Sequence, residues 1–255
     1  MKLDASNYYS AKANMEYMSV SQFKAFEKCE FRALEEARGK YKPDPTIAML
    51  VGSYVDAFYE GTLDTFKSAH PQIFRADGEL KADYVKAQQI ISRTMRDRFF
   101  QKLMSGQKQV IMTGVIAGIK VKIKVDSLCP DRIVDLKVLR DFGNVVVDDR
   151  GCLPFFEAWE YDLQGAVYQE IVRQNIGKKL PFILACATKE TVTDIDAIKI
   201  EQESLDFCLE RFIELAPGYD AIKKRIVKPE RCEKCDYCKL TKKLRRPTSS
   251  GDLYI

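Results

Sequence analysis

The sequence is nearly empty of histidine. One residue of 255, His70, carries an imidazole, which excludes any site that needs two or three, a His-rich zinc hydrolase first among them. Long apolar runs are also missing. No 18 consecutive uncharged apolar residues occur, so no transmembrane helix is expected. The N-terminal stretch MKLDASNYYSAKANMEY lacks an apolar h-region; no signal peptide is expected, and the cytosol is the expected compartment. There is no internal repeat and no low-complexity segment.

Cysteine, by contrast, is plentiful, with eight residues. A disulfide framework does not suit a reducing compartment, so clustered thiols read first as metal ligands. Cys129, Cys152, Cys186 and Cys208 are scattered and read as small hydrophobes. Cys232, Cys235 and Cys238 are spaced C-x-x-C-x-x-C, which lets one short loop wrap a metal or a cluster. Charge is unevenly placed. Residues 221–247 hold eleven Lys or Arg against three acids, while the whole chain is only +4. A basic tail on a mildly acidic body suits a protein that grips phosphates and holds divalent cations; a solvated tail gives the same count.

An apolar content of 46% suits an ordinary globular core. Helical spacing predicts helices over 19–39 (capped by Ser19 or Ser21, with Phe23, Phe26, Leu34 and Ala37 on one side), 46–60, 82–104, 159–176 and 203–225. A polar stretch separates the second from the third. Short β-branched runs at 110–116, 120–126 and 131–139 predict a meander, with Gly118 and then Cys129-Pro130-Asp131 at the turns. In IKVKIKVD, apolar and Lys residues alternate as in a half-buried antiparallel strand. Further strands are expected at 182–187 and 195–200. The expected fold class is α/β (α+β), with a central mixed sheet flanked by helices. We expect a single domain: a helical part at 1–105, an α/β core at 106–225 and a basic cysteine-containing tail at 226–255.

The most informative segment is Val125-Asp126-Ser127 followed by Ile133-Val134-Asp135-Leu136-Lys137. Asp126 ends one expected strand. Asp135 and Lys137 lie two apart on the next and share a face. Pairing through the Cys129-Pro130-Asp131 turn would bring Asp126 and Asp135 to one point. Two adjacent carboxylates repel unless a cation neutralises them, and oxygen ligands without histidine or thiolate suit Mg²⁺ or Mn²⁺. Phosphodiester hydrolysis needs such an ion. Lys137 could orient or help deprotonate the attacking water, and the Leu136 carbonyl would be a further ligand. Alternating charge on a solvated strand face produces the same D-x-K pattern.

With these residues the chain resembles the PD-(D/E)XK nucleases, in which an Asp is followed some nine residues later by D-x-K on the next strand. Tyr161-Asp162-Leu163-Gln164-Gly165-Ala166-Val167-Tyr168 resembles the Q-x-x-x-Y motif of the RecB-like branch, with Gln164 and Tyr168 on one helix face. Gly52-Ser53-Tyr54-Val55-Asp56 sits where that branch often has G-x-x-x-H, Asp56 replacing the histidine. The phrase AMLVGSYVDAFYEG looks like the variant in phage exonuclease VIII (RecE-like) relatives. Over roughly residues 19–240 the resemblance implies Asp126, Asp135, Lys137, Gln164 and Tyr168 as catalytic residues. It implies Asp126, Asp135, Leu136 and Asp56 as metal ligands; Glu35 and Glu36 are more distant acids. SVSQFKAFEKCEFRALEE resembles the N-terminal cysteine segment of iron–sulfur RecB-like nucleases. That implies Cys29 as fourth ligand beside Cys232, Cys235 and Cys238, for a [4Fe–4S] cluster, with Zn²⁺ as the competing occupant because the last spacing is short.

The implied activity is a metal-dependent exodeoxyribonuclease acting on double-stranded DNA ends, 5′ to 3′, in phage-type recombination. A single-strand annealing protein and further copies of the chain are the implied partners, with no membrane. The alternatives are an iron–sulfur single-strand nuclease of the CRISPR-associated type and a nucleic-acid-binding module without chemistry.

Overall fold

The structure, a computed structural model, describes residues 1–148, 150–244, 247, 249 and 250; the end of the expected basic tail lies outside the described residues. Its strands are β1 (Gln107–Ile116), β2 (Ile119–Cys129), β3 (Arg132–Leu139), a small separate hairpin of β4 (Val145–Val147) and β5 (Gly151–Leu153), β6 (Phe182–Thr188) and β7 (Ile195–Lys199). The main sheet has the order β1-β2-β3-β6-β7. The first three strands form an antiparallel meander, β6 lies parallel to β3, and β7 returns antiparallel. The β1–β2 turn is Ala117-Gly118, with φ of 51° and 75°. Two consecutive left-handed residues suit a two-residue hairpin, and glycine carries the second without steric cost.

The helices are α1 (Ala11–Glu16), α2 (Val20–Lys28), α3 (Glu30–Ala37), α4 (Ile47–Glu60), α5 (Leu63–Ala69), α6 (Ala82–Met95), α7 (Arg98–Leu103), α8 (Phe155–Ala158), α9 (Tyr161–Ile176), α10 (Gln202–Lys223) and α11 (Asp236–Leu240). They cover both faces of the sheet, giving the expected mixed α+β class. On one face Ile123, Val125, Ile133 and Leu184 pack with Phe23, Phe26, Leu163, Val167 and Phe212 of α2, α9 and α10. On the other, Val134, Leu136, Ala185 and Ala187 pack with Tyr54, Ile90 and Phe100 of α4, α6 and α7. Strand periodicity sorts β3 between these cores. Val134 and Leu136 go one way and Ile133 the other, carrying Asp135 and Lys137 to the side of α9.

Several expectations need correction. The helix expected over 19–39 is two helices. Ser19 opens the first in a reciprocal capping box with Gln22, and Cys29, extended at φ −169° and ψ 105°, separates it from the second. Asp126 lies three residues inside β2 rather than at its end, because the turn is tighter than expected. The polar stretch between the second and third expected helices contains α5 and a 3-10 turn at Pro71–Ile73. The helix expected over 82–104 breaks before Asp97, whose carboxylate caps α7 through the Phe100 N–H at 2.8 Å. Lys122 does not lie on a solvated strand face. It is 1% exposed, with its ammonium on the Tyr8 carbonyl and, at 2.7 Å, on Asn14 Oδ1. Cys152 is exposed, unlike buried Cys129, Cys186 and Cys208. Among the described residues no helix is long and apolar enough to cross a membrane.

Candidate active site

The site begins where two strands part. The β2–β3 ladder runs from Cys129 opposite Arg132 to Ser127 opposite Val134 and then stops. The next pair on that register would be Asp126 and Asp135. Instead Asp126 Oδ2 accepts the Leu136 N–H at 2.9 Å, so a side chain takes the place of a ladder rung. The N–H and C=O of one strand residue project to the same neighbour, so the Leu136 carbonyl faces the same gap. On the β1 side, Gln109 donates to Asp126 Oδ1 at 3.3 Å from a left-handed backbone, φ 52°. That conformation costs a non-glycine residue about 1–2 kcal/mol, and such strain gathers at functional sites.

Asp135 is 2% exposed. Its Oδ1 accepts from Gln164 Nε2 at 2.6 Å, and Lys137 forms an ion pair with Oδ2. That Oδ2 has the ammonium close by but no well-directed hydrogen bond. Lys137 lies over the Tyr161 ring, 4.7 Å from its centroid. Gln164 and Tyr168 line the same cavity from α9, one helical turn apart. The Tyr168 hydroxyl donates to the Lys124 carbonyl at 3.1 Å, which ties α9 to β2. Asp56 and, one turn on, Glu60 enter from α4, and the cavity encloses about 500 Å³. Glu35 and Glu36 do not line it; they pair with Arg38 and Arg32.

Burial dominates the electrostatics. It pushes Asp56 up to about 7, with Asp135 and Glu60 adding to the shift against Lys137. Burial, then Asp135 and Asp56, hold Asp126 well above the usual carboxylate range. Burial works against the charge of Lys137, yet Asp135 and Asp126 outweigh it and hold its ammonium above the ordinary lysine value. One ammonium among buried Asp135 and half-buried Asp126 and Asp56 leaves negative charge that a divalent cation would neutralise. The donor set is all oxygen, Asp135 Oδ2 lacks a directed partner, and the Leu136 carbonyl faces the gap; these residues fit Mg²⁺ or Mn²⁺. The carboxylates are nonetheless held apart by their own partners. Among the described residues, the group of Cys, His, Asp or Glu ligand atoms that all lie within 4.8 Å of one another is instead the four thiols.

Those thiols are Cys29, Cys232, Cys235 and Cys238. Sulfur separations are 3.6 Å (Cys29–Cys238), 3.8 Å (Cys29–Cys235) and 4.0 Å (Cys232–Cys238). A tetrahedral ion with metal–sulfur bonds of about 2.3 Å holds its sulfurs about 3.8 Å apart; a four-iron cluster would spread them wider. The Lys234 and Cys235 N–H groups push the Cys232 thiol down to about 6, favouring the thiolate that binds metals. The break at Cys29 now has a cause: it turns the thiol toward the tail. Around it the Phe31 N–H donates to the Glu230 carbonyl at 2.9 Å, and Arg231 lies over the Phe31 ring.

Lys24, Lys28 and Arg32 also line the carboxylate cavity. Their spacing of four along α2 and α3 is a signal readable in the sequence, outside any of the motifs. Lys24 donates to the Trp159 and Glu160 carbonyls at 2.6 and 3.2 Å, and burial lowers it to about 8. Glu60, Gln109, Lys122, Lys124, Tyr8 and Tyr9 complete the wall. No motif pointed to the two tyrosines.

Residues 19–241 match a family described as a PDDEXK-like domain of unknown function (DUF3799). A crystal structure of a candidate exonuclease from Eubacterium rectale is similar at 48% identity and TM-score 0.96, over 99% of this chain and 98% of that one. The solved structure of SSO0001 is 13% identical over 78% of this chain and 87% of that one, at TM-score 0.29, too remote to bear on the fold. No curated protein sequence matches the chain.

Proposed function

Because the chain belongs to the PDDEXK-like family, we propose that it is a metal-dependent nuclease, and more narrowly an exonuclease that hydrolyses double-stranded DNA from its ends, 5′ to 3′. The observation that carries this is the parting of β2 and β3, which leaves half-buried Asp126 and buried Asp135 unpaired in the β2–β3 ladder beside Lys137. A binding module gains little from clustered carboxylates of this kind, whereas phosphodiester hydrolysis needs them. The 48% identical candidate exonuclease supports the exonuclease form.

Nucleases of this kind typically use divalent metals. Asp126 and Asp135 would hold Mg²⁺ or Mn²⁺, with the Leu136 carbonyl and Asp56 as further ligands, and the ion supplies polarisation of the scissile phosphate and a more acidic water. Lys137, beside Asp135, offsets charge on the phosphate and orients the attacking water. Gln164 fixes Asp135 through its 2.6 Å hydrogen bond, and Tyr168 fixes the approach of α9 to β2. Lys24, Lys28 and Arg32 form a cationic wall for the phosphate backbone. At the thiols, a single Zn²⁺ fits the sulfur spacing better than a [4Fe–4S] cluster; in either form the role is structural. All of the chain acts as one nuclease domain, in phage-type recombination beside a single-strand annealing protein.

The test is digestion of linear duplex DNA labelled at one 5′ or one 3′ end, with Mg²⁺ and with EDTA, for wild type and Asp135→Ala. Metal-dependent loss of label from the 5′ end, absent in the variant, is the expected result. Intact protein that cleaves neither duplex nor single-stranded DNA in Mg²⁺ or Mn²⁺ would sink the proposal.

A further inference from the structure

The carboxylate cavity has a neighbour. A second cavity, also about 500 Å³, shares Tyr9, Asp56, Glu60 and Lys124 with it. Both volumes fall within the range of roughly 300–1,000 Å³ found for small-ligand sites. Beyond the shared residues the second cavity has a mixed lining, with Lys42, Ser53, Thr65 and His70 beside apolar Leu50 and Phe66.

Tyr9 stands at the common rim and is 69% exposed. Its ring is nevertheless held. Tyr8 meets it edge-on at 4.9 Å and 83°. Tyr8 is itself 6% exposed, with the Lys122 ammonium on its carbonyl and 4.5 Å from its ring centroid. Lys124 lies 5.3 Å from the Tyr9 centroid and 4.0 Å from Glu60. A supported but largely open aromatic ring, with the Lys124 ammonium beside it and half-buried Asp56 and Glu60 within the same cavity, has the parts of a base-stacking platform.

We propose that the second cavity is a nucleotide subsite, in which Tyr9 stacks on the base next to the scissile phosphate while Lys124 and Lys42 meet the sugar–phosphate backbone. This rests on the nuclease reading. It assigns the strand two adjoining cavities: the first holds Asp126 and Asp135 and is cationic along Lys24, Lys28 and Arg32, and the second receives the flanking nucleotide.

The experiment has two arms, each with wild type, Tyr9→Ala and Tyr9→Phe. In the first, end-labelled duplexes carry an abasic residue at successive positions from the end, and kcat/KM is measured in Mg²⁺. One position is expected to slow wild type and Tyr9→Phe by about tenfold, the scale of a lost stacking contact, and to leave Tyr9→Ala unaffected. In the second, 2-aminopurine is placed at that position, or at each terminal position in turn if nothing is cleaved, and its fluorescence is read in Ca²⁺. Quenching by wild type and Tyr9→Phe but not by Tyr9→Ala is expected. Equal abasic sensitivity in wild type and Tyr9→Ala, or equal quenching by the two, overturns the subsite while leaving the nuclease standing. Tyr9-dependent quenching without cleavage keeps the subsite and overturns the nuclease.

Discussion

At Asp126 two demands conflict. Its carboxylate fills the missing rung at the Leu136 N–H, yet burial beside Asp135 and Asp56 raises its pKa far above the usual range. Asp126→Asn keeps an acceptor for Leu136 and removes one of the crowded charges. Cleavage is expected to fall about 100-fold or more, on the scale of losing one preorganised electrostatic group. Unfolding free energy in EDTA is expected to rise, because a carboxylate whose pKa is raised by folding destabilises the folded state at pH values above its unfolded pKa. Urea titration beside the digestion assay checks both, and a variant that loses stability would make the carboxylate structural. Lys223 gives a pH prediction away from the site. It donates to the Tyr17 carbonyl at 2.8 Å, and burial lowers it from 10.5 to about 8. Between those values the unfolded chain binds the extra proton, so this residue makes stability rise with pH through the window. Wild type should therefore gain on Lys223→Met by up to about 3 kcal/mol between pH 8 and 10.5. Parallel denaturation curves for the two proteins at several pH values would refute it.

Among the elements, α9 is the one whose placement the chemistry depends on. Gly165 lets it approach the sheet: a Cβ there would meet Phe182 Cδ1 at 2.5 Å and Leu205 Cδ2 at 2.8 Å. Gly165→Ala must push the helix outward, at about 1–3 kcal/mol for overpacking, and so draw Gln164 away from Asp135. A Tm decrease together with a fall in kcat measured well below the new Tm is expected. A lower Tm with unchanged kcat would free Gln164 from its assigned role. Elements with local causes were legible in the sequence. The meander showed in period-two alternation, and α4 in an apolar-rich run ended by Gly61, which is left-handed. Asp135 and Lys137 showed by their spacing of two on one strand together with the resemblance to the PD-(D/E)XK pattern. What stayed hidden depends on distant contacts. Helical spacing runs unbroken through FEKCEFRALEE, and Cys29 departs from it to meet thiols some 200 residues away. Short, exposed α5 buries no residue fully and leaves no apolar signature. Lys122 looks solvated until the N-terminal segment covers it, and Tyr9 gains meaning only from the two cavities it borders.

Over the whole molecule, the thiol group closes nearly the entire chain on itself, joining the start of α3 to α11 and the tail. Lys28 and Arg32 stand on either side of Cys29 and line the carboxylate cavity. The clasp therefore bears on the cationic wall as well as on the fold. A cross-link closing about 200 residues restricts the unfolded chain by roughly 5 kcal/mol in the loop-entropy limit, and a bound metal couples its own affinity to folding. Local contacts hold part of the joint without it. The Glu230 N–H donates to Glu30 Oε2 at 2.7 Å, and the Tyr237 ring lies 4.6 Å from that of Tyr41 and 5.3 Å from that of Phe31. Cys29→Ser should thus leave a folded protein, less stable by about 2–4 kcal/mol, with reduced bound metal. Because the acids lie on β2, β3 and α4, the number of metal-dependent turnovers at saturating DNA should change little. The DNA affinity should weaken, and its salt dependence should become shallower as phosphate contacts along α2 and α3 are lost. Elemental analysis, urea titration and DNA binding at several salt concentrations separate these effects. Unchanged affinity and salt slope in a variant that has lost its metal would mean that the clasp holds only the tail and that the cationic wall stands without it.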